Sequence, residues 1–383
     1  MLISFIIPTR NRPDQLAHTV EKLRALLPDL ERHGADAELI VADNASDQPV
    51  TLPAFIGPMR TRIIRMLANR GAAARNAAAE MARGRWLVML DDDSHPANAD
   101  FIHELRAAPD DAAAIAAEIL LPDGRHEAGG LPEVFTGCGV ALRRDIFLTL
   151  GGYDAAFNYY AEEYDLAARI ILGGMRTITT RAFKVMHRKV AEGRDMNRIL
   201  RRLVRNNGWV ALRYAPDAHR SAALAETVTR YATIARLENA TDGYDRGLRE
   251  LHETSDRQPR REMTQTQWDR FTGQAHARAW LTDRLRGVQR VAIVEPGKND
   301  WAVRQAIEAM GIEITPAPDT TGAQALVIGT LSPGPMLDAA ERTLAAEAAA
   351  GSSPRPVITP WRLAESMAAQ GSQNHQKTVH AAA

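Results

Sequence analysis

Cysteine is almost absent from this sequence: Cys138 is the single cysteine among 383 residues, so no disulfide can form within the chain. Such cysteine usage is typical of a reducing compartment, and it excludes a metal site built from several thiolates. A surplus of either charge is also absent, because 47 Lys and Arg residues are balanced by 47 Asp and Glu residues. This balance does not indicate a polyanionic partner, and we expect no nucleic acid to bind.

Long apolar runs are absent too. The N-terminal stretch MLISFIIPTRNRP has no basic region before its apolar run, and Pro8 ends that run after too few residues for a signal peptide or a membrane span. We therefore predict a cytoplasmic protein, with peripheral contact at the inner face of the membrane left open as an alternative. That alternative depends on an arginine-rich stretch, which could meet lipid headgroups, a diphosphate or an acidic glycan, or could form an ion-paired surface. Its members are Arg194, Arg198, Arg201, Arg202 and Arg205.

Short apolar runs alternate with helical patterns in the first half of the chain. The runs cover residues 3–8, 38–43, 62–67 and 85–90, and apolar residues at helical spacing predict a helix over 14–27. This alternation predicts an α/β fold with a mainly parallel sheet and helices on both faces. Ligands of such sheets bind beyond the carboxyl ends of the strands. Polar residues cluster at those ends, namely Thr9, Arg10, Asp43, Asn44, Asn69 and Asp91 to Asp93.

The second half of the chain changes character twice. Residues from about 194 to 285 are helical in pattern and rich in charge, which predicts helices linking two domains. A second α/β pattern follows, with strand-like runs at 291–297, 325–330 and 356–360 and helices around 300–310 and 336–350. It lacks the G-x-G-x-x-G fingerprint of a dinucleotide site, so we interpret it as an accessory domain for acceptor positioning or homo-oligomer formation. The polar tail is predicted to be disordered.

The stretch RWLVMLDDDSHP, residues 85–96, places Asp91, Asp92 and Asp93 at the end of a predicted buried strand. Three carboxylates within one turn repel each other unless cations or hydrogen-bond donors compensate. An oxygen-rich group of this kind suits Mg²⁺ or Mn²⁺ holding a phosphorylated ligand. The alternative is a solvated acidic loop that caps a helix starting near Asn98.

Four stretches, in their order and spacing, extend this interpretation: FIIPTRNRPDQL, LIVADNASD, NRGAAARNAAAEMARGRWLVMLDDDSHP and GCGVALRRDIFLTLGGYDAAFNYYAEEYDLAARI. Together they resemble the family 2 glycosyltransferases, which have the GT-A fold. The resemblance covers residues 1–215 and implies a GT-A domain there. The pattern of the remaining chain predicts a helical linker at 216–285, the accessory α/β domain at 286–363 and the tail at 364–383. The resemblance also implies a nucleotide-sugar donor, Mn²⁺ or Mg²⁺, and inverting transfer to a hydroxyl of a carbohydrate or lipid-linked acceptor.

The resemblance assigns roles to individual residues of the nucleotide and metal sites. Pro8, Thr9 and Arg10 are implied to line the nucleobase pocket, and Asp43, Asn69 and Arg75 to make further nucleotide contacts. Asp91 and Asp93 match the Asp-x-Asp motif and are the expected metal ligands, with Asp91 also near the ribose. Asp92 stands between them and is grouped with the nucleotide-binding residues. Two alternatives stay open: Asp43 and Asn44 could form an Asx turn, and Arg75 could be a solvated helix residue.

The acceptor side is represented by YYAEEYDLAARI, residues 159–170. Inverting transfer needs one carboxylate to remove the acceptor proton, and the resemblance points to Glu163 as this base, with Glu162 as a rival. The structural alternative is an acidic helix start in which Glu162 or Asp165 pairs with Arg169. His187 is implied to join the metal shell, although a lone histidine is often a core or surface residue. Cys138 has no evident histidine partner, so we expect a small packed residue.

The function expected from this combination is a metal-dependent glycosyltransferase that uses a UDP-, dTDP- or GDP-sugar in bacterial polysaccharide, glycolipid or glycoconjugate synthesis. A sugar-phosphate nucleotidyltransferase is a second hypothesis, but PTRNRPDQL lacks the glycines and the lysine of such an enzyme's first loop. A third hypothesis is a catalytically silent carbohydrate-binding protein on the same fold.

Overall fold

A computed structural model describes residues 1–189, 195–316, 318–350 and 354–367 of the chain. In chain order, the elements up to His187 are β1 (Ile3–Thr9), α1 (Pro13–Arg32), β2 (Ala37–Asp43), β3 (Phe55–Ile56), β4 (Met59–Arg65), α2 (Ala74–Met81), β5 (Trp86–Leu90), β6 (Ser94–Pro96), α3 (Phe101–Ala107), β7 (Ala112–Leu120), β8 (Gly139–Arg143), α4 (Arg144–Thr149), α5 (Glu162–Leu172) and β9 (Arg176–His187). The later elements are α6 (Met196–Tyr214), α7 (Asp217–Leu237), α8 (Thr241–Thr254), α9 (Gln265–Thr272), α10 (Gln274–Arg284), β10 (Arg290–Val294), α11 (Asp300–Glu308), β11 (Glu313–Thr315), β12 (Ala325–Ile328), α12 (Pro333–Ala349) and β13 (Val357–Ile358).

The first compact unit combines residues 1–95, 140–175 and 189–268. Its strands lie in the order β3-β4-β2-β1-β5-β8. Strand β1 is parallel to β2 and to β5, β2 is parallel to β4, and the short β3 is paired antiparallel to β4. The side chains of β1 and β5 are buried along their whole length, as expected for central strands of a parallel sheet.

The second compact unit combines residues 96–139, 176–188 and the chain from 269 onward. In it β7 and β9 pair in parallel, with register irregularities after Ala112 and after Ala117. A separate four-stranded sheet has the order β11-β10-β12-β13, and each of its pairs is parallel. Helices α11 and α12 connect its strands in the β-α-β manner that parallel pairing requires.

The structure confirms the predicted α/β class, with a mainly parallel N-terminal sheet, a helical middle segment and a smaller C-terminal parallel sheet. The helix predicted over 14–27 is longer than expected, because α1 continues through Pro28 to Arg32. Pro28 cannot donate a backbone hydrogen bond, but Leu26 and Leu30 on either side of it are both buried, and their packing outweighs that loss.

Three further sequence predictions concern the C-terminal tail, the domain boundaries and the absence of a membrane span. The tail predicted at 364–383 lies outside the described residues from 368 onward. The domain boundaries at 215, 285 and 363 stay predictions. Among the described residues, no helix is long and apolar enough to cross a membrane.

Candidate active site

The carboxyl ends of the parallel strands of the first unit bring the predicted polar residues to one edge of the sheet. In the strand register, Thr9 at the end of β1 lies opposite Asp43 at the end of β2, and Asp43 lies opposite Arg65 at the end of β4. Asp91 directly follows β5, which is parallel to β1. This edge is where parallel sheets bind their ligands.

An open cleft of about 190 Å³ lies at this edge. Half of its lining residues are among those predicted from the sequence, namely Pro8, Thr9, Arg10, Asn69, Asp91 and Asp92. Of the others, Asn44 was predicted to lie at these strand ends and Arg202 belongs to the arginine-rich stretch, but neither was assigned a site role. The residues that the sequence did not indicate are Arg12, Gly71, Asn158 and Tyr159. The predicted residues Asp43, Arg75, Asp93 and Glu163 are not part of this lining.

Asp92 and Asp93 are both buried, and both are paired with Arg12. The Nη1 atom of Arg12 lies 2.8 Å from Oδ1 of Asp92, and its Nη2 atom donates to Oδ2 of Asp93 at 2.8 Å. Thr9 donates a further hydrogen bond of 2.8 Å from Oγ1 to Oδ2 of Asp92. Burial raises the pKa of Asp92 to about 7, although Arg12 and Thr9 oppose this shift. Arg12 therefore supplies the compensating charge that the aspartate triplet requires.

Asp91 is the most exposed carboxylate of the triplet, and it lines the cleft. Its side chain is 24 % exposed, whereas that of its partner Arg75 is only 3 % exposed. The Nη2 atom of Arg75 donates to Oδ1 of Asp91 and, at 3.2 Å, to the carbonyl oxygen of Leu90. The structure thus places Arg75 behind Asp91, where it orients the carboxylate. The nucleotide contact implied for Arg75 stays a prediction.

The carboxylate of Asp91 fits a hard divalent cation. Among the described residues its Oδ2 atom accepts no hydrogen bond, because Arg75 donates to Oδ1. An anionic oxygen that faces a cleft without a donor is the type of ligand that Mg²⁺ and Mn²⁺ prefer. Asp93 is buried and bound to Arg12, so Asp91 fits the role better of the two. The metal role implied for Asp93 stays a prediction.

Asp43 is completely buried and stabilises the turn after β2. Its Oδ1 atom accepts a hydrogen bond of 2.9 Å from the backbone N–H of Ser46, and its Oδ2 atom accepts one of 3.3 Å from that of Val50. These contacts correspond to the structural alternative for Asp43, and its nucleotide role stays a prediction. The neighbouring Asn44 lines the cleft instead and bonds to the backbone of Arg70 and Gly71.

The loop before α5 has an unusual backbone. Asn158, Tyr160 and Ala161 all have positive φ angles, of 61°, 71° and 64°. Each such residue costs on the order of 1 kcal/mol or more unless the surroundings hold it in place. The side chain of Asn206 does so, because its Nδ2 atom donates to the carbonyl oxygens of Phe157, Tyr159 and Tyr160 at 2.7–3.0 Å.

The same loop approaches the turn that follows β4. The backbone N–H of Ala72 donates to the carbonyl oxygen of Asn158 at 2.7 Å. A Cβ atom on Gly71 would lie 1.8 Å from that oxygen, and Gly71 itself has a φ of 58°. Only glycine therefore permits this approach, which brings Asn158 and Tyr159 to the cleft.

Glu162 and Glu163 begin α5, and they occupy different environments. Glu162 is 4 % exposed and its Oε2 atom has no hydrogen-bond partner among the described residues, whereas Glu163 is half-buried. Burial, together with repulsion from the Glu163 carboxylate, raises the pKa of Glu162 well above its ordinary value. A carboxyl that stays protonated is a poor base at neutral pH, so this contrast favours Glu163 over Glu162.

Asp165 takes part in a buried ion-pair network. Arg169 contacts its Oδ2 atom at 2.7 Å, and Arg213 and the hydroxyl of Tyr214 donate to its Oδ1 atom at 2.9 and 2.7 Å. The pairing of Asp165 with Arg169 was predicted from the sequence as the structural alternative to a catalytic role for this stretch. These contacts give Asp165 a part in fixing α5 against α6.

His187 and Cys138 both belong to the second unit. Nδ1 of His187 lies 2.9 Å from a carboxylate oxygen of Glu127 and 3.7 Å from Sγ of Cys138. The expectation that Cys138 has no histidine partner is therefore wrong, since 49 residues separate the two along the chain and no local spacing signals the contact. Cys138 is buried, as expected for a packed residue. The metal role implied for His187 stays a prediction.

Comparison with known proteins bears on the same part of the chain. Residues 4–124, which include β1 to β5 and the aspartate triplet, match the sequence profile described as Glycosyl transferase family 2. We refer to residues 4–124 as the family 2 segment, after the profile that they match. The family 2 segment contains all the strands whose carboxyl ends border the cleft on the nucleotide side of the predicted site.

Several curated proteins are similar to part of the chain. The O-antigen biosynthesis protein RfbC of Myxococcus xanthus is 24 % identical over 230 residues, which is 50 % of this chain and 18 % of that protein. An uncharacterized glycosyltransferase of Haemophilus influenzae is 25 % identical over 199 residues, 44 % of this chain and 62 % of that protein. The chain thus spans less than two thirds of the length of either relative.

A solved structure also aligns with most of the chain. The crystal structure of S. aureus TarS residues 1–349 in complex with UDP-GlcNAc covers 81 % of this chain and 91 % of its own, with a TM-score of 0.47 and 14 % identity.

Proposed function

We propose that the protein is a metal-dependent inverting glycosyltransferase that takes a sugar from a nucleotide-diphosphate donor. The observation that carries this proposal is the position of Asp91, which faces a cleft at the carboxyl ends of the parallel strands. The first turn of α5 lies close enough for Glu162 to interact electrostatically with Asp91 and with Glu163. A carboxylate suited to bind a cation and a carboxylate suited to remove a proton therefore lie close to each other.

In this reaction Glu163 removes the proton of the acceptor hydroxyl as its oxygen attacks the anomeric carbon. Asp91, oriented by Arg75, would hold a divalent cation, with Asp93 as a further proposed ligand. The cation supplies positive charge that stabilises the departing diphosphate. Arg12 pairs with the two buried aspartates, so Asp91 is the most exposed carboxylate of the triplet.

The acceptor proposed is a carbohydrate or a lipid-linked saccharide, in polysaccharide or glycoconjugate synthesis. Two relatives support this class by their names: the O-antigen biosynthesis protein, and the succinoglycan biosynthesis protein ExoO of Rhizobium meliloti, which is 34 % identical over 93 residues. UDP, dTDP and GDP donors are proposed alike. A cytoplasmic location and a C-terminal unit that serves acceptor positioning or self-association complete the proposal.

The test is a screen of UDP-, dTDP- and GDP-sugars for binding and for hydrolysis, with and without Mn²⁺ or Mg²⁺. We expect Glu163→Gln to abolish turnover and to leave donor binding intact, whereas the matched control Glu162→Gln retains turnover. Release of pyrophosphate would indicate a nucleotidyltransferase instead. Binding of saccharides without turnover of any donor would indicate a catalytically silent binding protein.

A further inference from the structure

One face of helix α6 packs against the loop and helix that carry the proposed base. Residues 202, 206, 209 and 213 repeat at helical spacing on this face. Asn206 bonds to the carbonyl oxygens of the loop, Trp209 packs edge-on against Phe157, and Arg213 pairs with Asp154 and Asp165. Arg202, one turn before Asn206, is the member of this face that lines the cleft.

Arg202 differs from the neighbouring arginines in its pairing. Arg201 and Arg205 both bind the carboxylate of Glu250, with distances of 2.6 Å from Nε of Arg201 and 3.0 Å from Nη1 of Arg205. Arg201 and Arg205 thus form ion pairs, as one of the alternatives for the arginine-rich stretch predicted. The guanidinium of Arg202 has no hydrogen bond and no ion pair to any residue within 1–189, 195–316, 318–350 or 354–367. Arg194 lies outside the described residues.

The surroundings of Arg202 do not supply a compensating charge. Burial lowers the pKa of Arg202, and Arg198 and Arg201 lower it further. Tyr160 and Glu162 oppose this shift, but a tyrosine hydroxyl is ordinarily uncharged at neutral pH, and Glu162 is held toward its neutral form by its burial. A half-buried guanidinium without a counter-ion is costly, and an anion in the cleft would offset that cost.

We propose that Arg202 binds the oxyanions of a phosphate group in the cleft, and that it does so independently of the metal. The planar fork of a guanidinium matches two phosphate oxygens, which makes Arg the suited residue for this contact. The inference deepens the proposed function, on which it depends for the identity of the ligand. The phosphate comes either from the donor diphosphate or from a phosphorylated acceptor, since both ligands meet in this cleft.

Calorimetry with Arg202→Gln and the matched control Arg201→Gln tests the proposal. Arg201 is adjacent on the same helix but is paired with Glu250 and does not line the cleft. The probes are inorganic pyrophosphate in EDTA, the nucleoside diphosphates UDP, dTDP and GDP, and the corresponding nucleosides. We expect Arg202→Gln to weaken pyrophosphate and the tightest nucleoside diphosphate about 10- to 100-fold, to leave its nucleoside unchanged, and to exceed the effect of Arg201→Gln.

The outcomes separate the possible sources and failures. Unchanged diphosphate affinity with a raised KM for a phosphorylated acceptor would assign Arg202 to the acceptor. Unchanged affinity for every phosphate probe and an unchanged acceptor KM would overturn the proposal. If wild-type protein binds pyrophosphate through Arg202 but no nucleotide, the anion site stands and the proposed donor class fails. Arg202→Lys keeps the charge, and we expect an intermediate affinity if the fork geometry matters.

Discussion

The buried guanidinium of Arg75 orients the carboxylate of Asp91. Arg75 is almost fully enclosed, so removing the charge of its partner leaves an uncompensated guanidinium inside the protein. We expect Asp91→Asn to lower the free energy of unfolding by roughly 1–3 kcal/mol, less than for a fully buried pair because Asp91 is partly exposed. Urea unfolding measures this, with the exposed Asp14→Asn as control. An unchanged midpoint would show that Arg75 finds another partner.

Another residue-scale effect concerns stability and pH in the second unit. His126 lies between two carboxylates, with Nε2 2.9 Å from Glu118 and Nδ1 2.6 Å from Asp338. The hydrogen bond with Glu118 is the largest cause that raises the pKa of His126 above its usual value, and burial opposes it. Folding therefore favours the protonated imidazole. This contribution is complete below the pKa of the unfolded state, near 6.5, and is lost as the pH rises through the folded-state pKa.

We expect the free energy of unfolding to fall between pH 6 and pH 8.5 more steeply in the wild-type protein than in His126→Gln. The expected difference is on the order of 1 kcal/mol, the usual net contribution of a hydrogen bond. Denaturant titrations at a series of pH values measure it. Parallel curves for the two proteins would mean that the imidazole is not protonated on folding.

At the scale of elements, α6 determines the shape of the loop before α5. Asn206 donates to three carbonyl oxygens of that loop, and a carboxylate at this position would repel all of them. We expect the isosteric change Asn206→Asp to reduce kcat at least tenfold, with a small change in the KM of the donor, because it displaces Glu163 rather than the nucleotide side of the cleft. The loss of activity relative to the wild-type protein at the same pH should shrink as the pH falls, because the new carboxyl is then protonated and can donate.

The control for this prediction is Asn207→Asp, a change on the same helix. Among the described residues, the side chain of Asn207 bonds to the carbonyl oxygen of Leu203, one turn earlier. Equal losses of activity in the two variants, or a loss at position 206 that does not respond to pH, would contradict a role for Asn206 in positioning the base.

Strand ends were predictable from the sequence, whereas contacts between distant segments were not. Thr9 and Asp91 were assigned to the cleft because continuous apolar runs locate the ends of β1 and β5, and parallel pairing brings those ends together. Arg202 was not assigned, since its distance from the cleft depends on how α6 packs, more than 100 residues further along the chain. The positive φ angles of Tyr160 and Ala161 have no local signal, because neither residue type favours that conformation.

At the scale of the whole molecule, the first unit continues past the boundary predicted at residue 215. Trp209 bonds to Thr254 through its indole N–H at 2.8 Å, and the backbone N–H of Met263 donates to the carbonyl oxygen of Tyr214 at 3.0 Å. A Cβ atom on Gly247 would lie 2.2 Å from the carbonyl oxygen of Arg201, so α8 packs directly on the backbone of α6. These contacts join residues on the two sides of position 215.

We therefore expect the two fragments to remain associated when a protease site inserted between Ala215 and Pro216 is cleaved. Gel filtration of the cleaved protein should give the elution volume of the uncut chain, and separation should require denaturant. Two separate peaks in native buffer would instead support an independent domain that ends at residue 215.

The return of the chain to its first unit at residue 189 also has a consequence for the order in which the protein is made. During synthesis the aspartates leave the ribosome well before Arg202 and Asn206, and at ordinary translation speeds the interval is on the order of ten seconds. During that interval the parallel strands are present without the helix that completes the cleft. In a nascent chain paused before α6, we therefore expect the strand ends that form the nucleotide side of the cleft to be in place. The loop before α5 should still be free to change conformation.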